Sequence, residues 1–217
     1  MKASFTVMGR RSVISGLGLA AGALLSSCDR HEEVEVSPGE DLMQEHGVVE
    51  RILLIYDEAA RRIESAAPLD LGVVAAACQV VQRFVQDYHE RQEEDFVFPK
   101  LRAAGKQTEL VAVLLRQHQR GRELSADILR RCGSGGGIDL AGVLRRFSAM
   151  YRPHAAREDT VLFPAFRELL GNHAYRELGE KFEDNEHARF GEHGFENAVA
   201  EVARLEASLG IGDLARF

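Results

Sequence analysis

Two stretches of this sequence repeat one chemical spacing. His89-Glu90-Arg91-Gln92-Glu93 sets an imidazole and a carboxylate four residues apart, and His154-Ala155-Ala156-Arg157-Glu158 does so again. On a helix, residues four apart lie on the same side about one turn from each other, so each pair can reach one point. Each glutamate is followed by an acid (Glu94, Asp159), then by apolar residues running into Phe98-Pro99 and Phe163-Pro164. Each copy is also preceded by a segment with one histidine at its middle, His46 in the first case and His118 in the second. The chain reads as two helical hairpins, each offering a lone histidine and a His-x-x-x-Glu pair.

A glutamate turned into an apolar interior is costly unless something positive neutralises it. No lysine or arginine stands at matching depth in both halves, whereas a metal cation would serve both carboxylates at once. Imidazole with carboxylate suits iron, and also zinc, manganese or copper; thiolates, which would favour zinc or a cluster, are absent from the set. Four imidazoles and two carboxylates exceed the needs of one ion and suit two ions bridged by carboxylates.

The elements that must position these groups read as helices, because apolar residues recur at helical spacing and no strand pattern competes. The spacing predicts helices over about 41–65, 71–95, 108–131 and 140–160. Phe98-Pro99 and Phe163-Pro164 are expected to stop the second and fourth, and the glycine run 133–137 the third. A further helical stretch, about 175–209, is expected to break near Gly191 and Gly194. The predicted fold class is all-α: an antiparallel up-down-up-down four-helix bundle over 41–170, with an additional C-terminal helical extension over 171–217.

With the six residues His46, His89, Glu93, His118, His154 and Glu158 in this order, and both Phe-Pro pairs, the sequence resembles the hemerythrin or HHE cation-binding domain over about residues 40–165. The resemblance implies two iron ions, with manganese or zinc as substitutes. His46 and His89 would hold one ion, His118 and His154 the other, and Glu93 and Glu158 would join them. It also implies that a small ligand, O2, peroxide or nitric oxide, meets an open iron position. Oxygen carriers of the family supply a second histidine from the third helix, and here Arg122 stands in its place. Glu90 or water is the candidate to fill part of that gap. The expected function is metal binding with a response to such ligands. A di-iron oxidative-stress enzyme consuming peroxide or nitric oxide, and an iron-sequestering structural lipoprotein, stay open.

The first residues read as an address. Arg10-Arg11 precedes a glycine-rich apolar run, and Leu25-Ser26-Ser27-Cys28 resembles a lipobox, so residues 1–27 are expected to be a twin-arginine signal peptide and Cys28 to be lipidated. Residues 28–40, with His31 and Ser37-Pro38-Gly39, read as a tether to the periplasmic side of the bacterial inner membrane. Removal of Lys2, Arg10 and Arg11 would take the formal charge from −7 to −7 − 3 = −10. So acidic a chain, without a basic stripe, argues against nucleic acid as a partner. A redox partner is left unnamed. Cys78 and Cys132 could pair in an oxidising compartment if geometry allows. His187 and His193, near Glu183 and Glu186, are a weaker second cluster. Glu50 and Glu123 are read as supporting or surface acids, His173 as a loop residue, and the phenylalanines as core.

Overall fold

The computed structural model of the protein describes residues 36–213 and 215; the twin-arginine stretch, Cys28 and His31 lie outside them. The described chain is all helical, without strands, and forms six helices. They are α1 (Pro38–Glu64), α2 (residues 71–103), α3 (Thr108–Gly133), α4 (residues 138–169), α5 (Asn172–Phe190) and α6 (Gly194–Leu209). None of the described helices is long and apolar enough to cross a membrane.

The first helix starts three residues earlier than predicted. Ser37 accepts from the Glu40 backbone N–H while the Glu40 carboxylate accepts from that of Ser37, a capping box with proline in the first turn. The Ser-Pro-Gly stretch read as tether is therefore this helix's start. The glycine run ends α3 as expected: Gly135, Gly136 and Gly137 all take positive φ between α3 and α4, where only glycine is unstrained. The break in the C-terminal stretch also falls at Gly191, with φ +79°.

The two Phe-Pro pairs do not end their helices. α2 runs on through Phe98–Ala103 and α4 through Phe163–Leu169. In both, a π-helical segment precedes the proline, Glu93–Val97 in α2 and Glu158–Leu162 in α4. The wider turn shifts the register by about one residue, so each proline falls in the first turn of a fresh α segment, where its missing N–H costs nothing. A second π-helical stretch, Val81–His89, lies upstream in α2 and ends on a site histidine.

Contacts between α1 and α4 pair Glu64 with Arg145, Asp57 with Arg152 and His46 with Asp159, so residue numbers run in opposite senses. α2 and α3 do the same, through Cys78 with Ser125 and Glu94 with His118. Two apolar clusters fill the interior. One contains Ile52, Tyr56, Val74, Phe84, Ile128, Leu144 and Phe147, and α6 adds Val202 to it. The other contains Leu42, Phe98, Leu101, Val111, Leu114, Phe163 and Phe166, with Tyr175 and Phe182 of α5. The site histidines fall between the two clusters along each of α1 to α4, so a polar layer lies sandwiched in an apolar core. α5 closes one flank, the Tyr175 hydroxyl accepting from the Gly39 N–H at 2.9 Å; a Cβ on Gly39 would sit 2.6 Å from that oxygen. Cys78 and Cys132 are free thiols, and Cys78 donates to the Ser125 carbonyl at 3.4 Å, so the disulfide does not form.

Candidate metal centre

Burial first separates the six candidates from the rest. His46, His89, Glu93, His118, His154 and Glu158 are each at most 3% exposed, although all are polar. The structure brings them into two adjoining groups, His46 with His89 and Glu93, and His118 with His154 and Glu158. Ligating atoms within each group lie within 4.8 Å of one another. Each carboxylate reaches across to the other group. Glu93 has Oε1 at 3.8 Å from His89 Nε2 and Oε2 at 3.3 Å from His118 Nε2. Glu158 has Oε2 at 3.0 Å from His154 Nε2 and 3.4 Å from His46 Nε2, with Oε1 at 4.0 Å from His118 Nε2. That is the disposition of a bridging carboxylate pair.

The outer nitrogens explain why the inner ones are available. His46 Nδ1 donates to Asp159 at 2.7 Å, and His89 Nδ1 to Glu45 at 2.8 Å. His118 Nδ1 donates to Glu94 at 3.0 Å, and His154 Nδ1 to Gln117 at 3.0 Å. These acceptors form a closed ring: α1 serves the histidine of α2, α2 that of α3, α3 that of α4, and α4 that of α1. With every Nδ1 carrying its proton, each imidazole in its neutral form presents an Nε2 lone pair inward, the tautomer a metal-bound histidine requires. Among neutral rings, lone pairs then face lone pairs. His46 and His89 have their Nε2 atoms 3.1 Å apart. Both oxygens of Glu93 and of Glu158, and His118 Nε2, are buried without a hydrogen-bond partner. Such a concentration of acceptors needs cations between them, and the donor set fits two ions of the iron, manganese or zinc type.

Aromatic packing repeats the twofold pattern. Phe98 stacks on His118 at 5.5 Å between centroids, and Phe163 on His46 at 5.7 Å. The π-helical turns that begin at Glu93 and Glu158 aim these rings, so the Phe-Pro pairs belong to the site and are not stops.

Metal-free electrostatics follow from the same crowding. Burial, then the neighbouring Glu158 charge, pushes the Glu93 carboxyl up to about 8. Burial acts the same way on Glu158, but the imidazoles of His154 and His46 outweigh it and hold that carboxyl low. One of two close buried carboxylates thus keeps its proton. Burial disfavours charge on His46 and His118 as well, yet Asp159 and the nearby Glu158 carboxylate raise His46 to about 10, and the Glu93 and Glu94 carboxylates raise His118 well above its ordinary value. At pH 7 the metal-free site therefore carries protons on His46, His118 and Glu93 that a metal must displace. Metal binding is expected to release about three protons per chain at pH 7, and affinity to rise with pH toward 10. A pH indicator in weakly buffered solution, read during metal addition, checks this.

Glu90 is wholly buried but turned aside from the bridging carboxylates. Its Oε1 accepts from the Tyr151 hydroxyl at 2.6 Å and its Oε2 pairs with Arg122 at 2.8 Å. Glu90 does lie within 4.8 Å of Glu94 and His118 atoms. Arg122, at the position of the family's additional histidine, also pairs with Glu94 at 2.7 Å, and with His118 it holds that carboxyl down to about 2 against the opposing effect of burial. Arg122→Ala would leave Glu90 buried without its cation, held only by the Tyr151 hydroxyl. A loss of about 2 kcal/mol in urea unfolding is expected, less than for a wholly buried pair because the guanidinium is partly exposed.

Sequence reasoning missed the supporting ring. Its signal was adjacency: Glu45 and Gln117 each precede a lone histidine, and Glu94 and Asp159 each follow a bridging glutamate. Glu50 and Glu123 are instead surface acids, paired with Arg152 and Arg120. His187 and His193 are exposed and join no metal-spaced group among the described residues. Their neighbour Glu186 accepts from the Phe195 N–H at the start of α6. His173 is exposed beside Glu177.

Residues 37–166 match the Hemerythrin HHE cation binding domain. The chain is 42% identical over 231 aligned residues to uncharacterized proteins of Mycobacterium bovis and Mycobacterium tuberculosis, covering 97% of this chain and 91% of theirs. No solved structure matches it significantly. With the family domain spanning most of the described residues, the chain belongs to the hemerythrin HHE cation-binding family.

Proposed function

We propose that the protein is a non-haem di-iron protein that binds or responds to O2, peroxide or nitric oxide. The observation that carries the reading is the convergence of four Nε2 lone pairs and two unpartnered carboxylates, with every Nδ1 anchored from behind. Family membership supports metal binding, iron above all. Bound iron would supply electrons and open coordination positions to a small ligand. The protein's own part is to hold the imidazoles in one tautomer, to keep Glu93 and Glu158 between the two halves, and to exclude water. Apolar clusters above and below the polar layer provide that exclusion. Only two histidines serve each position, with Arg122 where carriers place another, which favours a reactive site over clean reversible carriage.

The same reading takes the helices α1 to α4 as an antiparallel up-down-up-down four-helix bundle, supported by the opposed residue pairing along α1 with α4 and α2 with α3. It also takes the protein to be exported by the twin-arginine route and anchored through Cys28 at the periplasmic side of the membrane. Arg10-Arg11 and Leu25-Ser26-Ser27-Cys28 support that placement.

The test is the visible spectrum of the iron-loaded, reduced protein on exposure to O2, hydrogen peroxide, nitric oxide and azide. A stable spectral change that reverses on ligand removal supports a sensor or carrier. Repeated consumption of peroxide or nitric oxide with a reductant present identifies an enzyme. No response to any of the four would contradict the open-site reading and leave sequestration.

A further inference from the structure

The ring of acceptors behind the histidines is not uniform. His46 and His89 donate to carboxylates, Asp159 and Glu45. His118 donates to Glu94, but the same oxygen accepts from Arg122 at 2.7 Å. His154 donates to Gln117, a neutral amide. An anionic acceptor draws the Nδ1 proton toward itself and makes Nε2 a stronger donor; an amide does so weakly, and a carboxylate shared with a guanidinium does so less than one that is not. Both weaker supports fall on one side of the site. Glu90, the remaining acid on that side, has its oxygens engaged by Tyr151 and Arg122 and does not make up the difference.

We propose that Gln117 makes the two metal positions unequal, so that the position on His118 and His154 binds its ion more weakly and favours the divalent state. This rests on the two-metal reading above. Gln117 is a positioning residue, acting on the metal only through His154. The first ion to bind is then the one on His46 and His89. The second position is the one that fills last, empties first, and keeps a reduced ion in place for an oxidising ligand.

The probe is cobalt(II), titrated into the chelator-treated full chain without oxygen and followed by its visible absorption. Two steps are expected, the second about tenfold weaker or more. Gln117→Glu should tighten the second step about tenfold and leave the first within about twofold. Asp159→Asn should weaken the first step and draw the two together. In the iron-loaded protein, Gln117→Glu should lower one of two reduction potentials by about 59 mV, the one-electron equivalent of a tenfold stronger preference for ferric over ferrous iron. A purely spacing role for Gln117 would not move that potential. Equal affinities in the wild type, or an unchanged second step and potential in Gln117→Glu, would overturn the inference while leaving the two-metal reading intact. Uptake of fewer than two cobalt ions per chain would overturn that reading and the inference with it.

Discussion

Glu93→Gln and Glu158→Gln are expected to abolish metal binding alike yet to part company in the metal-free protein. Each removes an oxygen that reaches both histidine groups. The loss of affinity should exceed the roughly 10–100-fold cost of removing an outer-sphere partner. Without metal the two sites differ. Glu93, raised to about 8, is largely protonated at pH 7, so an amide of the same shape should change stability by no more than about 0.5 kcal/mol. Glu158 is the charged member, 3.0 Å from His154 and 3.4 Å from His46. Neutralising it strips a buried imidazolium of its counter-charge and should cost about 3 kcal/mol. Urea unfolding of the chelator-treated proteins at pH 7 checks this; equal losses would show that the proton is not lodged on Glu93.

The second large effect concerns metal removal from the unaltered protein. A ligand that binds only the folded state stabilises it by about 2.7 kcal/mol at a concentration 100 times its Kd. For a chain of this size that corresponds to a rise of about 5–10 °C in Tm. Chelation should therefore lower Tm by that amount, and iron should restore it. In His89→Ala the dependence should largely vanish, because one position has lost half of its imidazoles. An unfolding midpoint indifferent to chelator in the wild type would mean that the polar layer is held by protons alone.

How much of this could be read beforehand follows from where each signal resides. The six inward residues were legible because helical period and duplication are properties of the sequence itself: His89 and Glu93, then His154 and Glu158, announce a shared face. The helices around them were legible for the same reason. The continuation past Pro99 and Pro164 was not, since a proline stops an α-helix unless a wider turn precedes it, and the π-helical segments at Glu93–Val97 and Glu158–Leu162 are set by tertiary packing. The acceptor ring was hidden for a different reason. Glu45 sits beside His46 in sequence but serves His89, and Asp159 sits beside Glu158 but serves His46. Each acceptor works on a neighbouring helix, a relation that adjacency in sequence does not encode. In the sequence Arg122 stands only as a missing histidine. Its pairing with Glu90 and Glu94 turns that absence into a fixed charge beside one half of the site.

The central claim, two metal ions held by six residues, meets its most direct test in metal stoichiometry. The full chain would be loaded with ferrous iron without oxygen, desalted and analysed for metal per protein, beside His89→Ala/His154→Ala. Two ions per chain are expected in the wild type, with most of that content lost in the double variant. Wild-type protein without iron, or a double variant that retains the full two ions, would contradict the account.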